Sequence, residues 1–496
     1  MKFTLLLIIV LFQFAGFSQQ LVLPGDHADP SVVKIGDTYW ATATTSNWMP
    51  VFPLLKSKDL VNWKLTGNVF SKLPEWADYY FWAPEISFEK GKVYVYYAAH
   101  KKNGNLCVGV ASADDPEGPY RDHGSLICQE AGSIDAFPMR DENGKLFLIW
   151  KEDGNSVKKP TPIWAQEMNE ERTLLLGEKH LLFSNDASWE GNLVEGVSMI
   201  KKGEYYYAFY AGAGCCGTVC NYTSGVARSK TLLGPWEKYS KNPLLVNNTQ
   251  WKCPGHGTPV EKDGRYYFLY HAYDNQSHIY TGREGLLAEF KFTPDDWIEF
   301  IQHTSPAPTR TGFTDKDNFS GRNLDDSWQW SVFQQPQALL NGGLLSLKGV
   351  PVYGTYIGRK TLGGDYVATA TVHAEKSTAT TGLGVIGDDK NRVAIYFSGD
   401  QVQVIAMRDG ASSVLAEERL MPKKRIDLRM LVNNGHSIRF EYSINGKTFI
   451  PVNSQPVNAS YLPPWDRALR IGLIAQGENG TFAVFDDLEV QYKPVE

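Results

Sequence analysis

Residues 203–212 read GEYYYAFYAG, a glycine followed by an alternation rich in aromatic side chains. Glycine reaches positive φ without steric cost, and aromatic residues suit a pleated, half-buried surface, so the stretch reads as a tight turn entering a strand. The pattern recurs as GDTYWATAT from Gly36, GKVYVYYAA from Gly91, GKLFLIWKE from Gly144 and GRYYFLYHAY from Gly264. From glycine to glycine the spacings are 55, 53, 59 and 61 residues. A period of roughly 60 residues with no helical pattern fits one four-stranded blade per repeat, so five repeats predict a five-bladed β-propeller.

Six to nine residues ahead of each repeat glycine stands one polar residue: Asp29, Glu85, Asp135, Glu195 and His256. The innermost strands of a propeller line its channel, so equivalent positions converge at one mouth. Any one of these residues alone would read as a turn or a solvated strand end. Clustered carboxylates repel one another unless compensated, and five polar groups in register therefore point to function. Paired acids in an aromatic-rich cleft suit glycoside hydrolysis, in which one carboxyl donates a proton to the leaving oxygen and an ionised partner activates water or attacks carbon.

Composition narrows the setting. The chain opens with Met1-Lys2 and the apolar run FTLLLIIVLFQFA, then GFSQQ, the three-part pattern of a secretory signal peptide over residues 1–18. The expected location is secreted or periplasmic, and the mature form is expected to have no membrane span. A net charge of −6 gives no basic footprint for nucleic acid. Aromatic residues make up 13% of the chain, enough to fill strands and leave rings for stacking on ligands. Cysteines 107, 128, 215, 216, 220 and 253 all precede residue 260, and CCGTVC lacks zinc-type spacing, which favours a structural disulfide with connectivity left open.

The runs HADPSVV, FWAPEI, SIDAFPMRDENGKLFLIW, VEGVSMIKKGEYYYAFYAG and PGHGTPVEKDGRYYFLYHAY together resemble the blade motifs of glycoside hydrolase family 43, five-bladed propellers acting mainly on arabinose- and xylose-containing glycans. The resemblance implies Asp29 as general base, Asp135 as the residue that tunes and orients the acid, and Glu195 as general acid, with inversion of configuration. Val197 follows Glu195-Gly196 where the family more often has proline. His256 matches a family histidine on the channel axis that is often linked through water to a cation, usually calcium. Arg283 looks like the last-blade arginine that contacts the sugar or the acid. Trp82 and Trp48 are candidates to stack on a sugar face, Phe137 to line the pocket, and Glu85 to reach substrate. No organic cofactor is implied.

Beyond HTSPAPTRTGFTDKDNF, the runs DYVATATVHA, RVAIYFSG, QVQVIAMR and SIRFEYSING alternate at period two, predicting an antiparallel β-sandwich, jelly-roll-like in type. DNFSGRNLDDSWQW and GGLLSLKG resemble the concanavalin-A-like domain that accompanies β-xylosidase members of the family, where it packs on the propeller and can lend a loop to the pocket. The predicted organisation is all-β: signal peptide 1–18, propeller 24–302, linker 303–316 and sandwich 317–496. The expected activity is removal of terminal α-L-arabinofuranosyl or β-D-xylosyl residues from plant cell-wall glycan. An endo-arabinanase, a galactan-directed hydrolase and a non-catalytic carbohydrate-binding propeller stay open as alternatives at this point.

Overall fold

The structure, a computed structural model, describes residues 19–301, 311–421 and 424–494. The segment read as a signal peptide and residues 303–310 of the expected linker lie outside these. The regular structure of the described chain is nearly all strand, and no helix in it is long and apolar enough to cross a membrane.

Five sheets follow the five repeats. Each predicted glycine sits in the turn between the innermost strand and its neighbour, as Gly203 does between Val194–Lys202 and Tyr205–Gly212. It adopts φ of +60°, where a β-branched residue would be strained. The innermost strands are Ser31–Ile35, Ala77–Glu89, Ser133–Arg140, Val194–Lys202 and Trp251–Lys262. Blade five is completed by the first described strand, Gln20–Leu23, which pairs antiparallel with Arg283–Phe292 and so ties the start of the propeller to its end. This closing strand begins four residues before the expected boundary at 24.

The second domain is a two-sheet sandwich. One sheet runs through Leu344–Lys348, Phe482–Tyr492, Tyr366–His373, Arg425–Asn433 and Ser437–Ser443; the other through Thr355–Lys360, Arg470–Gln476, Thr380–Asp388, Asn391–Ser398, Gln401–Arg408 and Ala411–Arg419. Tyr366–His373 alternates buried and half-buried along its whole length, and its inward residues Tyr366, Ala368, Ala370 and Val372 meet Leu383, Val385 and Ile395 of the facing sheet in one apolar core. Phe313–Asp317 pairs with Phe482–Tyr492. The last part of the expected linker is therefore a sandwich strand, held by the buried Arg359, which donates to Asp315 Oδ1 at 2.8 Å and to Asp317 Oδ2 at 3.1 Å.

The two domains are stitched together. Trp330–Ser331 of the sandwich pairs with Trp48–Met49 of blade one. The buried Arg470 guanidinium meets Asp26 at 3.3 Å, and Trp48, 1% exposed, packs against Tyr356 beneath that same arginine.

Candidate active site

Four of the five inner strands slip register with their neighbours near the channel mouth: between Trp82 and Glu85, Ile134 and Phe137, Glu195 and Ser198, and on either side of Gly255. Such a bulge bends the strand and re-aims one side chain. At this level Asp29, Ala83, Asp135, Gly196 and His256 take φ of 50°, 43°, 56°, 62° and 36°. Aspartate and histidine tolerate the left-handed region better than most residues. Gly196 is required for a further reason: a Cβ there would lie 2.7 Å from His256 Cγ. The Glu-Gly pair thus lets Glu195 and His256 occupy neighbouring blades at the same level.

The bulges also correct one equivalence. The blade-two counterpart of Asp135 is Ala83, which lines the pocket. Glu85 stands two residues further along, buried in the channel and accepting a hydrogen bond from Thr258 Oγ1 at 3.2 Å, away from the pocket lining. Burial pushes its carboxyl up to about 8, only partly offset by hydrogen bonds from Ser31 and Thr258.

Asp29, Asp135 and Glu195 line one cavity of about 270 Å³ together with Trp82, His256 and Arg283. Asp29 is held on all sides: Thr44 Oγ1 donates to Oδ2 at 2.7 Å, Arg283 Nη1 donates to Oδ1 at 3.0 Å, and its backbone N–H donates to His271 Nδ1 at 3.0 Å. Burial alone would raise its pKa, but Arg283, with help from His256, outweighs it and holds the carboxyl far below the ordinary range. His271, driven down to about 4 chiefly by burial, is neutral. Its Nδ1 accepts from the Asp29 backbone, so its proton sits on Nε2.

His256 Nδ1 stands 3.5 Å from Asp29 Oδ1 and 3.9 Å from Asp135 Oδ2. Asp135 Oδ2 in turn accepts the Gly196 N–H at 2.8 Å, anchoring the strand that carries Glu195. Burial raises the Asp135 carboxyl; His256 opposes the rise and the nearby Glu195 adds to it. The two oxygens of Glu195 have separate donors, Lys151 Nζ at 2.6 Å to Oε2 and Tyr222 OH at 2.9 Å to Oε1.

Lys151, Asp153 and Tyr222 escape a reading by repeats because none occupies the repeated polar position. Lys151 lies on the second strand of blade three, inside the repeat run directly after Trp150, and Asp153 just beyond that strand; the ammonium lies 2.8 Å from Asp153 Oδ1. Trp465 and Asp466 escape it because they come from the sandwich. Asp466, buried, accepts from Trp82 Nε1 at 3.1 Å and from Ser46 Oγ, and its carbonyl accepts from Arg283 Nη2 at 3.0 Å. Trp465, 53% exposed, meets Trp82 edge-on with ring centroids 5.7 Å apart. The second domain thus supplies one wall of the pocket.

Two residues predicted to touch sugar do not line the pocket. Trp48 is sealed in the domain interface, and Phe137 is buried between blades three and four among Ile149, Val194 and Met199. Tryptophan and phenylalanine on inner strands serve packing as readily as stacking, and alternation alone does not separate the two.

Among the described residues no three His, Cys, Asp or Glu side chains stand at ligand spacing. The six cysteines pair as Cys107–Cys128, Cys215–Cys216 and Cys220–Cys253, which replaces the open connectivity with three defined bridges.

The sequence profile of Glycosyl hydrolases family 43 matches residues 18–298, more than half of the chain. The chain belongs to glycoside hydrolase family 43. The profile of the Beta xylosidase C-terminal Concanavalin A-like domain matches residues 316–491 of this family 43 hydrolase. Over 312 residues it is 27% identical to a xylan 1,3-β-xylosidase of Vibrio sp, covering 56% of either chain. Over 437 residues it is 26% identical to a non-reducing-end α-L-arabinofuranosidase of Bacteroides ovatus, covering 78% of this chain and 77% of the relative. Among solved structures, the family 43 protein of Bacillus licheniformis superposes with a TM-score of 0.79 at 23% identity over 95% of this chain and 99% of its own. A family 43 protein from a xyloglucan-utilisation locus of Bacteroides ovatus reaches a TM-score of 0.80 at 22% identity, over 96% and 100%. The propeller-plus-sandwich fold is thereby shared across both domains.

Proposed function

We propose that this family 43 hydrolase removes single terminal α-L-arabinofuranosyl or β-D-xylosyl residues from plant cell-wall glycans or their oligosaccharides, inverting the anomeric centre. One observation carries the reading. The three carboxylates lie at the base of a pocket of about 270 Å³, walled on one side by Trp465 and Asp466, a volume just below the usual range for a small-molecule site. Such a space suits one sugar residue better than a chain threaded through an open groove. The named activities of the Vibrio and Bacteroides relatives support the same sugar classes.

In this reading Asp29, kept ionised by Arg283, takes the proton from the water that attacks the anomeric carbon. Glu195 delivers a proton to the leaving oxygen, and Asp135 orients Glu195 through the Gly196 amide. The location we propose is secreted or periplasmic, supported by the apolar run near the N-terminus and by three disulfides, which persist in oxidising compartments.

The test is hydrolysis of aryl α-L-arabinofuranoside, β-D-xyloside and β-D-galactoside and of unactivated pentose oligosaccharides by wild type and Glu195→Gln, with the product anomer followed by NMR. Turnover of a pentoside with inverted product, and a loss of roughly 10²–10⁴-fold in the variant on natural glycosides, is expected. Retained configuration, or turnover of galactoside alone, would overturn the reading.

A further inference from the structure

The adjacent residues Cys215 and Cys216 are joined to each other and line the pocket. They sit on a loop, residues 213–222, built to stay in place. Gly214 N–H donates to Asn221 Oδ1 at 2.8 Å and Asn221 N–H to the Gly214 carbonyl at 3.0 Å, closing the loop at its base. Cys220–Cys253 ties its far end to the inner strand of blade five, and Gly217 N–H donates to Tyr273 OH at 3.3 Å. The loop runs directly into Tyr222, the donor to Glu195.

Position along the pocket identifies what this surface meets. Asp29, Asp135 and Glu195 are buried, Cys215 and Cys216 are half-buried, and Trp465 is exposed. The cysteine pair and Trp465 therefore form the outer end. They adjoin each other across Gly217, whose added Cβ would lie 3.7 Å from the Trp465 carbonyl oxygen. Linking neighbouring side chains leaves a compact ring of polarisable sulfur with no side-chain donor, and beside an indole it makes an apolar rim. A sugar turns one face of C–H groups outward, and that face is the chemistry such a rim accepts.

We infer that the Cys215–Cys216 ring and Trp465 form the subsite for the leaving-group sugar, the residue on the reducing side of the bond that is cut. The inference rests on the proposed function, because a leaving-group subsite presupposes the pocket-bound terminal sugar. A disulfide and an indole carry no proton to exchange at neutral pH, so the rim acts on binding of the aglycone and not on the chemistry of the inner sugar.

The experiment compares two substrates that share the inner sugar. A pentosyl fluoride has no aglycone sugar and reads the inner site alone, whereas the corresponding pentose disaccharide reads both. Cys215→Ala/Cys216→Ala should leave kcat/KM on the fluoride within about twofold. On the disaccharide the double variant should lower it about tenfold, mainly through KM, the scale of one lost apolar contact. Fluoride turnover by the double variant also reports that it folds. An equal loss on both substrates, or no loss on the disaccharide, overturns the subsite. Wild type that turns over neither substrate overturns the proposed function, and the subsite with it.

Discussion

Lys151 Nζ lies 2.6 Å from Glu195 Oε2 and 2.8 Å from Asp153 Oδ1, with its side chain 1% exposed. Burial opposes its charge, yet Glu195 and Asp153 outweigh that and hold the ammonium above its ordinary range. Removing one member of a buried ion pair leaves charge uncompensated and costs about 3–5 kcal/mol. Lys151→Met should therefore lower stability by about that amount in urea unfolding at neutral pH. A loss below about 1 kcal/mol would show that the two carboxylates find another partner.

Arg283 governs the ionisation of Asp29 from 3.0 Å. An arginine beside an aspartate lowers its pKa by roughly 1–3, so Arg283→Met should move the acidic limb of the kcat/KM profile upward by that much. Turnover would then recover partly as pH rises. A variant inactive at every pH would assign Arg283 to substrate binding alone.

Glu85 offers a test in the channel that bypasses catalysis. Its folded value of about 8 lies above its ordinary 4.5, so its contribution to stability is present in full below pH 4.5 and is lost as pH rises through 8. Glu85→Gln carries no such dependence. The melting temperature of wild type should fall relative to the variant between pH 5 and 9, by the equivalent of about 4 kcal/mol, since each tenfold change in proton affinity between folded and unfolded chain is worth about 1.4 kcal/mol. Parallel curves would mean that the channel keeps Glu85 ionised with a compensating charge.

Asp466 positions Trp82 across the domain boundary, accepting from the indole at 3.1 Å. Asp466→Ala leaves that indole without its carboxylate and frees Ser46, at a cost of about 1.5–3 kcal/mol for a hydrogen bond to a charged group. A rise in KM of about tenfold or more, with a smaller change in kcat, is expected from initial-rate kinetics. A change confined to kcat would place Asp466 in the chemistry itself.

Much of this protein is legible along the chain because the information is local. A turn glycine needs positive φ, and a strand half-buried between sheets needs alternating aromatic residues. Gly36, Gly91, Gly144, Gly203 and Gly264 therefore announce five blades, and the period-two runs after residue 317 announce a sandwich. Asp29, Asp135, Glu195 and His256 are legible for the same reason, since each stands at a repeated distance from a repeated turn. What the tertiary structure alone decided is where counting fails. Bulges shift the register by whole residues, which puts Ala83 and not Glu85 at the mouth. Packing turns Trp48 and Phe137 into core. Lys151 and Tyr222 reach Glu195 from a second strand and from a loop, outside the repeated position. Asp466 arrives from a different domain, 384 residues after the tryptophan it meets, and brings Trp465 with it. Side chains that meet only because two domains dock share no pattern in sequence, since neither local backbone preference nor periodicity links them.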